Sequence, residues 1–430
     1  MSDYISPLER TFGTATQRLL EKSAEFTSVI TDIAMDEDCV VRCEIQADEM
    51  RPLTEKDIPS DAFGYKGTSH VGFYSYEDAG IATGIFLASQ SLRYKVTHDM
   101  TAYENAQKAF AGIRFIYNLG KKQQEGFFPK PYDKKISQQI SRDQYLFAMV
   151  GMKEFYDIAD SQTRNEIERM MGAMGNYWIS IDYRHTYLSL PASSNLTDVM
   201  GSLFLGIIRI AYEFSNDPVL LREYYRLLTE EHLGARMSET LKELFLSGKK
   251  YDGGTYYRTN EHSITMKTIA TDCLWEYDPE HVNLWQDALK KFWDNDLLVS
   301  FDPQDGLCYF VIKFDPKTSK TFTVNPGIIP ELENPLKLAC LNWGGHHKTA
   351  MSVMLAYSAT VIGNRLGNES AIKTARFILE KMNLDSFRGF SVPNPRHYPP
   401  GEEYRSKILN ISFLCTWQWT YWLGRQKNFW

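Results

Sequence analysis

Nothing in this 430-residue chain reads as a membrane span, a secretory leader or a metal-binding framework. No apolar run approaches the roughly 20 residues that a bilayer-crossing helix needs, which leaves no candidate transmembrane segment. The start, Met1 to Arg10, has neither the basic stretch nor the apolar run of a signal peptide. The expectation is therefore a soluble, cytoplasmic protein, unless a leader was removed. The cysteines (Cys39, Cys43, Cys273, Cys308, Cys340, Cys415) are scattered, with no CxxC pair and no histidine at zinc spacing. Buried free thiols fit that scatter better than a disulfide or zinc framework. Gly344-Gly345-His346-His347 has neither P-loop spacing nor the HExxH pattern, so no metal site and no organic cofactor is expected. A formal net charge of -7 and the absence of any RNA- or DNA-binding motif argue against a nucleic-acid partner. Oligomeric state has no signature in the sequence.

What is present is apolar material: 43% hydrophobic and 13% aromatic residues, enough for a large packed core and too much for a disordered chain. The pattern is a couplet repeated along the chain. An enclosed helix, with small or apolar residues all round, is followed after a short link by a helix with one charged face. The first enclosed helix runs from about Glu77 to Tyr94 (Gly80, Ala82, Gly84, Ala88), and its outer partner runs to about Asn118. The couplet returns at 141–158, 195–214, 260–276 and 346–363, each with a charged helix behind it. A last enclosed stretch, about 406–424, has no outer partner after it. Its natural mate is the unpaired helix at about 8–25, which would close the set into six hairpins and one domain over 1–430.

Links within a couplet are short, whereas connections between couplets are long. Long loops tend to carry function. One of them contains a hairpin pattern, Leu307 to Ile312 and Thr321 to Val324 around Pro316 to Ser319. If the enclosed helices are parallel inside a ring, every long loop gathers where those helices begin. An elongated solenoid of helix pairs is the alternative architecture.

This arrangement resembles the (α/α)6 barrels of the six-hairpin glycosidase superfamily, over nearly the whole chain at the level of pattern. Within that group it is most similar to the unsaturated uronyl hydrolases, which place catalytic aspartates at the openings of inner helices. The same barrel also hosts polysaccharide lyases and epimerase-like isomerases, so fold leaves the chemistry open.

The openings collect the candidate residues. Ser141 with Gln144 predicts a capping box that puts Asp143 in a helix's first turn. Glu77 or Asp78 would face it from the neighbouring hairpin. Glycoside cleavage needs such a pair, one carboxylic acid to protonate the leaving oxygen and one carboxylate to activate water or attack. The resemblance implies Asp143 as acid/base. Each of these acids would otherwise merely cap its own helix.

His347 is a further catalytic candidate. The expected substrate-binding set is Tyr76, Arg142, Asp198, Tyr257, Arg258, His262, Asp272, Trp343, His346, Tyr404 and Arg405. Arginines suit a carboxylate and aromatic faces suit sugar rings, which points to a small uronic-acid-containing oligosaccharide. Asp272 would line a pocket floor or pair with a lysine or arginine. The rival chemistries are a lyase using His347 or His262 with Tyr257, an epimerase using paired histidines, and a carbohydrate-binding protein without catalysis.

Overall fold

The computed structural model describes residues 7–58, 64–187, 190–194, 196, 201–229, 256–258, 261–298, 311–315, 320–323, 346–389 and 407–430. Helices dominate. In chain order they are α1 (Pro7–Val29), α2 (His70–Tyr76), α3 (Ala79–Thr97), α4 (Met100–Lys121), α5 (Arg142–Tyr156), α6 (Ser161–Ser180) and α7 (Leu203–Ser215). They continue with α8 (Pro218–Thr229), α9 (Glu261–Tyr277), α10 (Val282–Lys291), α11 (His346–Leu366), α12 (Glu369–Lys381) and α13 (Ile411–Gln426).

The hairpins are made by a simple local device. A helix ends on a residue in the left-handed region, and an Asx side chain at once caps the next helix. His98 (φ 54) is followed by Asp99, whose carboxylate accepts from Thr101 N–H. Asn216 (φ 55) is followed by Asp217, and Gly367 (φ 63) by Asn368, which accepts from Ala371 N–H. Links this short leave no room for anything but antiparallel neighbours.

Helices α3, α5, α7, α9, α11 and α13 form an inner ring, each packed on two others, with α13 closing against α3. The inner helices are enclosed as their composition demands: every residue of α3 from Ala79 to Leu92 is buried. Outer helices are two-faced. On α4, Glu104, Gln107 and Lys108 are exposed while Ala106, Ala109 and Phe110 are buried.

Small residues let the inner helices close up. A Cβ on Gly84 of α3 would stand 2.5 Å from the Phe147 carbonyl oxygen of α5, and one on Gly151 would stand 2.4 Å from the Gly84 oxygen. The two backbones therefore touch across a reciprocal pair of glycines. At the chain's two ends, α1 lies along α13, with Ser23 Oγ donating to Gln418 Oε1 at 2.8 Å and Phe26 edge-on to Trp417 at 4.9 Å.

One end of the ring is closed by charge. Lys95 near the end of α3 reaches Glu154 (3.1 Å) near the end of α5, Lys153 reaches Glu154 (3.2 Å) and Glu276 of α9 (3.1 Å), and Arg365 of α11 reaches Asp272 (2.5 Å). These contacts show that four inner helices end together. Burial works against charge on Glu154, but Lys153 and Lys95 overcome it and hold the carboxyl down at about 2. Asp272 belongs to this belt: it sits eleven residues along α9 from Glu261, about 16 Å of helix rise away, so it pairs with an arginine and does not line the opening.

The opposite end carries small sheets. A three-stranded antiparallel sheet sets β1 (Glu44–Gln46) between β2 (Arg51–Pro52) and β8 (Ile408–Asn410), which runs straight into α13. The expected hairpin forms as β6 (Val311–Asp315) and β7 (Lys320–Thr323), with β5 (Tyr256–Arg258) added as a third strand. A further hairpin, β3 (Arg184–Tyr187) with β4 (Leu190–Ser194), occupies chain next to the expected 195–214 helix, and α7 begins only at Leu203. Among the described residues no helix is long and apolar enough to cross a membrane.

Candidate active site

Three neighbouring inner helices open side by side: α13, α3 and α5. Cys43 ties the first two together, its carbonyl accepting from Ile411 N–H (2.8 Å) and its thiol donating to the Tyr74 carbonyl (3.0 Å) and lying 3.4 Å from Asp78 N. Burial pushes the Cys43 thiol well up, which suits a neutral group that positions backbone. Asp78 occupies the cap position of α3, makes no capping bond to that helix, and keeps 21% of its side chain exposed.

Helix α5 begins at Arg142 after an extended Ser141 (φ -150), so Asp143 lies in the first turn as expected, with Oδ1 accepting from Gln144 N–H at 2.9 Å. The capping box itself does not form. Gln144 instead turns its amide across the helix interface to donate to the Glu77 carbonyl, and Ser141 Oγ has no hydrogen-bond partner among the described residues. A bond that joins two hairpins has replaced one that would have closed a single turn.

Between the two openings stands a residue that helical periodicity does not reveal. Lys130 lies between Pro129 and Pro131 in the loop joining α4 to α5 and is 2% exposed. The loop is pinned: Lys130 N–H donates to the Gln139 carbonyl (2.8 Å), and its own carbonyl accepts from Ser137 Oγ (2.7 Å). Asp133 and Lys134, both in the left-handed region (φ 50 and 59), turn the chain back, and Asp133 Oδ2 accepts from Ser69 N–H at 3.0 Å.

The Lys130 ammonium lies 2.8 Å from Glu77 Oε1, 2.7 Å from the Glu77 carbonyl oxygen and 3.8 Å from Asp78 Oδ1. Tyr132 donates its hydroxyl to the other Glu77 oxygen. Burial works against charge on Lys130, but the charges of Glu77, Asp78 and Asp143 outweigh it and hold the amine above the usual lysine value. A buried pair of this kind is costly to break singly, about 3–5 kcal/mol.

The expected residues thus divide. Glu77, Asp78 and Asp143 all act on one lysine, with Arg142 at the adjoining first position of α5. Glu77 is 1% exposed and engaged by Lys130 and Tyr132, whereas Asp78 and Asp143 remain partly open. Tyr76 faces elsewhere: its hydroxyl donates to Asp36 Oδ2 at 2.8 Å, inside a cluster that Lys134 completes. His346 and His347 are the first two residues of α11, His262 is the second of α9, and Tyr257 and Arg258 lie in β5 just before it. The backbone brings them to helix openings, and their side chains lie outside the described residues. Asp198, Trp343, Tyr404 and Arg405 also lie outside them.

Lys130 and Tyr132 escape periodicity arguments, but the run Phe127-Phe128-Pro129-Lys130-Pro131-Tyr132 does carry a signal. A lysine fixed between prolines amid aromatics is placed for burial, and a buried lysine needs carboxylates. Among the described residues, the side chains that gather as possible metal ligands are Asp278, Glu280 and His281, in the link after α9. There Asp278 already accepts from Tyr224 Oη (2.5 Å) and Trp285 Nε1 (3.1 Å), which accounts for its burial without an ion.

Helix pairs in a closed ring, with parallel inner helices opening on a loop-covered end, decide the architecture. The fold is an (α/α)6 barrel. No family model and no curated protein matches the sequence. Solved structures do share the barrel. A GH76 α-mannanase from Bacteroides thetaiotaomicron superposes with a TM-score of 0.53 over 97% of this chain and 98% of its own, at 10% identity. An unsaturated glucuronyl hydrolase specific for heparin superposes with a TM-score of 0.51 over 96% of this chain and 97% of its own, also at 10% identity. At such identity the likeness establishes the fold of this barrel and not its chemistry.

Proposed function

We propose that this barrel is a glycoside hydrolase acting on a small, anionic, uronic-acid-containing oligosaccharide. The observation that carries the reading is the trio of carboxylates around Lys130 at adjoining inner-helix openings. Asp143 serves as acid/base. In the first turn of α5 it has a main-chain donor on one oxygen, which favours its charged state after it has protonated the leaving group.

Its partner is Asp78 and not Glu77. Glu77 is enclosed and already holds Lys130 and Tyr132, so a sugar cannot reach it without breaking a buried ion pair. Asp78 is partly open and stands at the neighbouring helix start, where it can activate water. Arg142, at the first position of α5, suits a uronate carboxylate, and Arg258, in β5 just before α9, is assigned the same role. The two solved barrels compared above are also glycosidases by name, one of them a glucuronyl hydrolase, which supports the reading by analogy.

The test is incubation with a panel of uronate-containing and neutral oligosaccharides, read together by mass and ultraviolet absorbance. Hydrolysis gives a new reducing end and the mass of one added water. A product that gains unsaturated-uronate absorbance at unchanged total mass would make the protein a lyase, and a product of unchanged mass and absorbance an epimerase. Binding without any change in the sugar would remove catalysis altogether.

A further inference from the structure

The carboxylate trio is unequal. Lys130 touches Glu77 through both its side-chain and main-chain oxygens and stands 3.8 Å from Asp78, with Asp143 a further charge acting on the same ammonium. One buried cation therefore holds Glu77 in contact and Asp78 at one remove. We propose that Lys130 is a positioning residue that sets the state of the reaction's base: it removes Glu77 from the chemistry as a fixed ion pair and favours charge on Asp78, the partner of Asp143. The assignment rests on the hydrolase reading for its purpose, but its electrostatic content stands apart from any substrate.

The surroundings favour this role. The loop that presents Lys130 is fixed by prolines on both sides and by the Gln139 and Ser137 hydrogen bonds, so the stem of the lysine starts from a set point, and its ammonium is held at Glu77. Gln144 holds the Glu77 carbonyl from α5, and Tyr132 holds its carboxylate from the same loop as Lys130. Among the described residues, other titratable or charged groups that face the trio are the buried Cys43 thiol next to Asp78, Glu44 beside Cys43, and Arg142 next to Asp143. Lys134 is turned away to Asp36, Glu37 and Asp38 and does not compete.

During the reaction no bond to Lys130 forms or breaks. The proton leaves Asp143 for the glycosidic oxygen, water attacks with its proton passing to Asp78, and Lys130 remains an ammonium throughout. Its effect is electrostatic, as an opposite charge at about 4–6 Å lowers a carboxyl's titration by about one to three pH units.

The experiment is titration of the aspartate carboxyl carbons by NMR in protein labelled at that carbon, with the Asp78 and Asp143 signals assigned from D78N and D143N. In Lys130→Met/Glu77→Gln, which removes the ion pair as a unit, the Asp78 midpoint should rise by about one to three pH units. Lys130→Arg should leave both midpoints near those of the parent. Glu77→Gln alone, which frees the lysine for its neighbour, should lower the Asp78 midpoint. That variant decides the matter should the double variant fail to fold. An Asp78 midpoint unmoved by Glu77→Gln, or unmoved in a folded double variant, overturns the proposal. If the parent cleaves no glycoside, the hydrolase reading fails while these titrations still judge Lys130. A merely structural lysine would change stability in these variants and leave the Asp78 midpoint in place.

Discussion

Replacing Glu154 by glutamine tests the charged belt that closes one end of the barrel. Its carboxylate stands between Lys95 (3.1 Å) and Lys153 (3.2 Å), is 18% exposed, and is held at about 2 against its ordinary 4.5. A difference of about 2.5 pH units at 1.36 kcal/mol each makes the folded protein about 3 kcal/mol more stable at pH 7 than it would be without the interaction. The folded value is depressed, so this stability is fully present above about pH 4.5 and is lost as the pH falls toward 2. With about 2.1 cal/mol/K of unfolding entropy per residue, a chain of this length should lose about 3 °C in Tm at pH 7 on E154Q substitution. By pH 3 less than half of that gap should remain. Scanning calorimetry of parent and variant at pH 7, 5 and 3 makes the comparison. An unchanged Tm at pH 7, or a gap that does not shrink between pH 5 and pH 3, would refute the reasoning.

Other outcomes follow from the same geometry. Asp143→Asn should cut kcat by about 10²–10⁴ while leaving the fold intact by circular dichroism, since a general acid contributes on that order. Gly84→Ala should cost about 1–3 kcal/mol in denaturant unfolding, because the new methyl meets the Phe147 carbonyl at 2.5 Å where two backbones already touch. Tyr132→Phe should destabilise by about 1–3 kcal/mol in the same assay, leaving a buried Glu77 oxygen short of its donor. Trp417→Ala should cost about 3–5 kcal/mol and loosen the first helix, since the Trp417 ring is fully buried against Phe26 of α1.

How much of this was legible depended on where the physics was local. The enclosed and two-faced helices show in the sequence because burial on all sides demands small and apolar residues such as Gly84 and Gly151, whereas an outer helix such as α4 needs a solvated stripe. Asp143 was placed in a first turn by a capping-box spacing, and the helix does start at Arg142 although the box does not form. Gln144 was not legible: its spacing from Ser141 suits a capping box, but an amide that long also reaches the Glu77 carbonyl on another hairpin, and only packing decides between them. Asp272 could be read only as a polar residue on an enclosed helix, and its arginine lies 93 residues away. The late start of α7 was hidden because β3 and β4 include Pro191 and Ser193-Ser194, which read as loop. Lys130 was passed over because a loop has no period to read, although its two prolines and aromatic neighbours mark it.

The most direct measurement of the central claim is turnover of a uronate-containing oligosaccharide in heavy-oxygen water, with product mass recorded for the parent and for Asp143→Asn. The hydrolase account predicts one heavy oxygen in the parent's reducing-end product and almost none formed by the variant in the same time. Cleavage by the parent without heavy oxygen, or equal incorporation by both proteins, would contradict it.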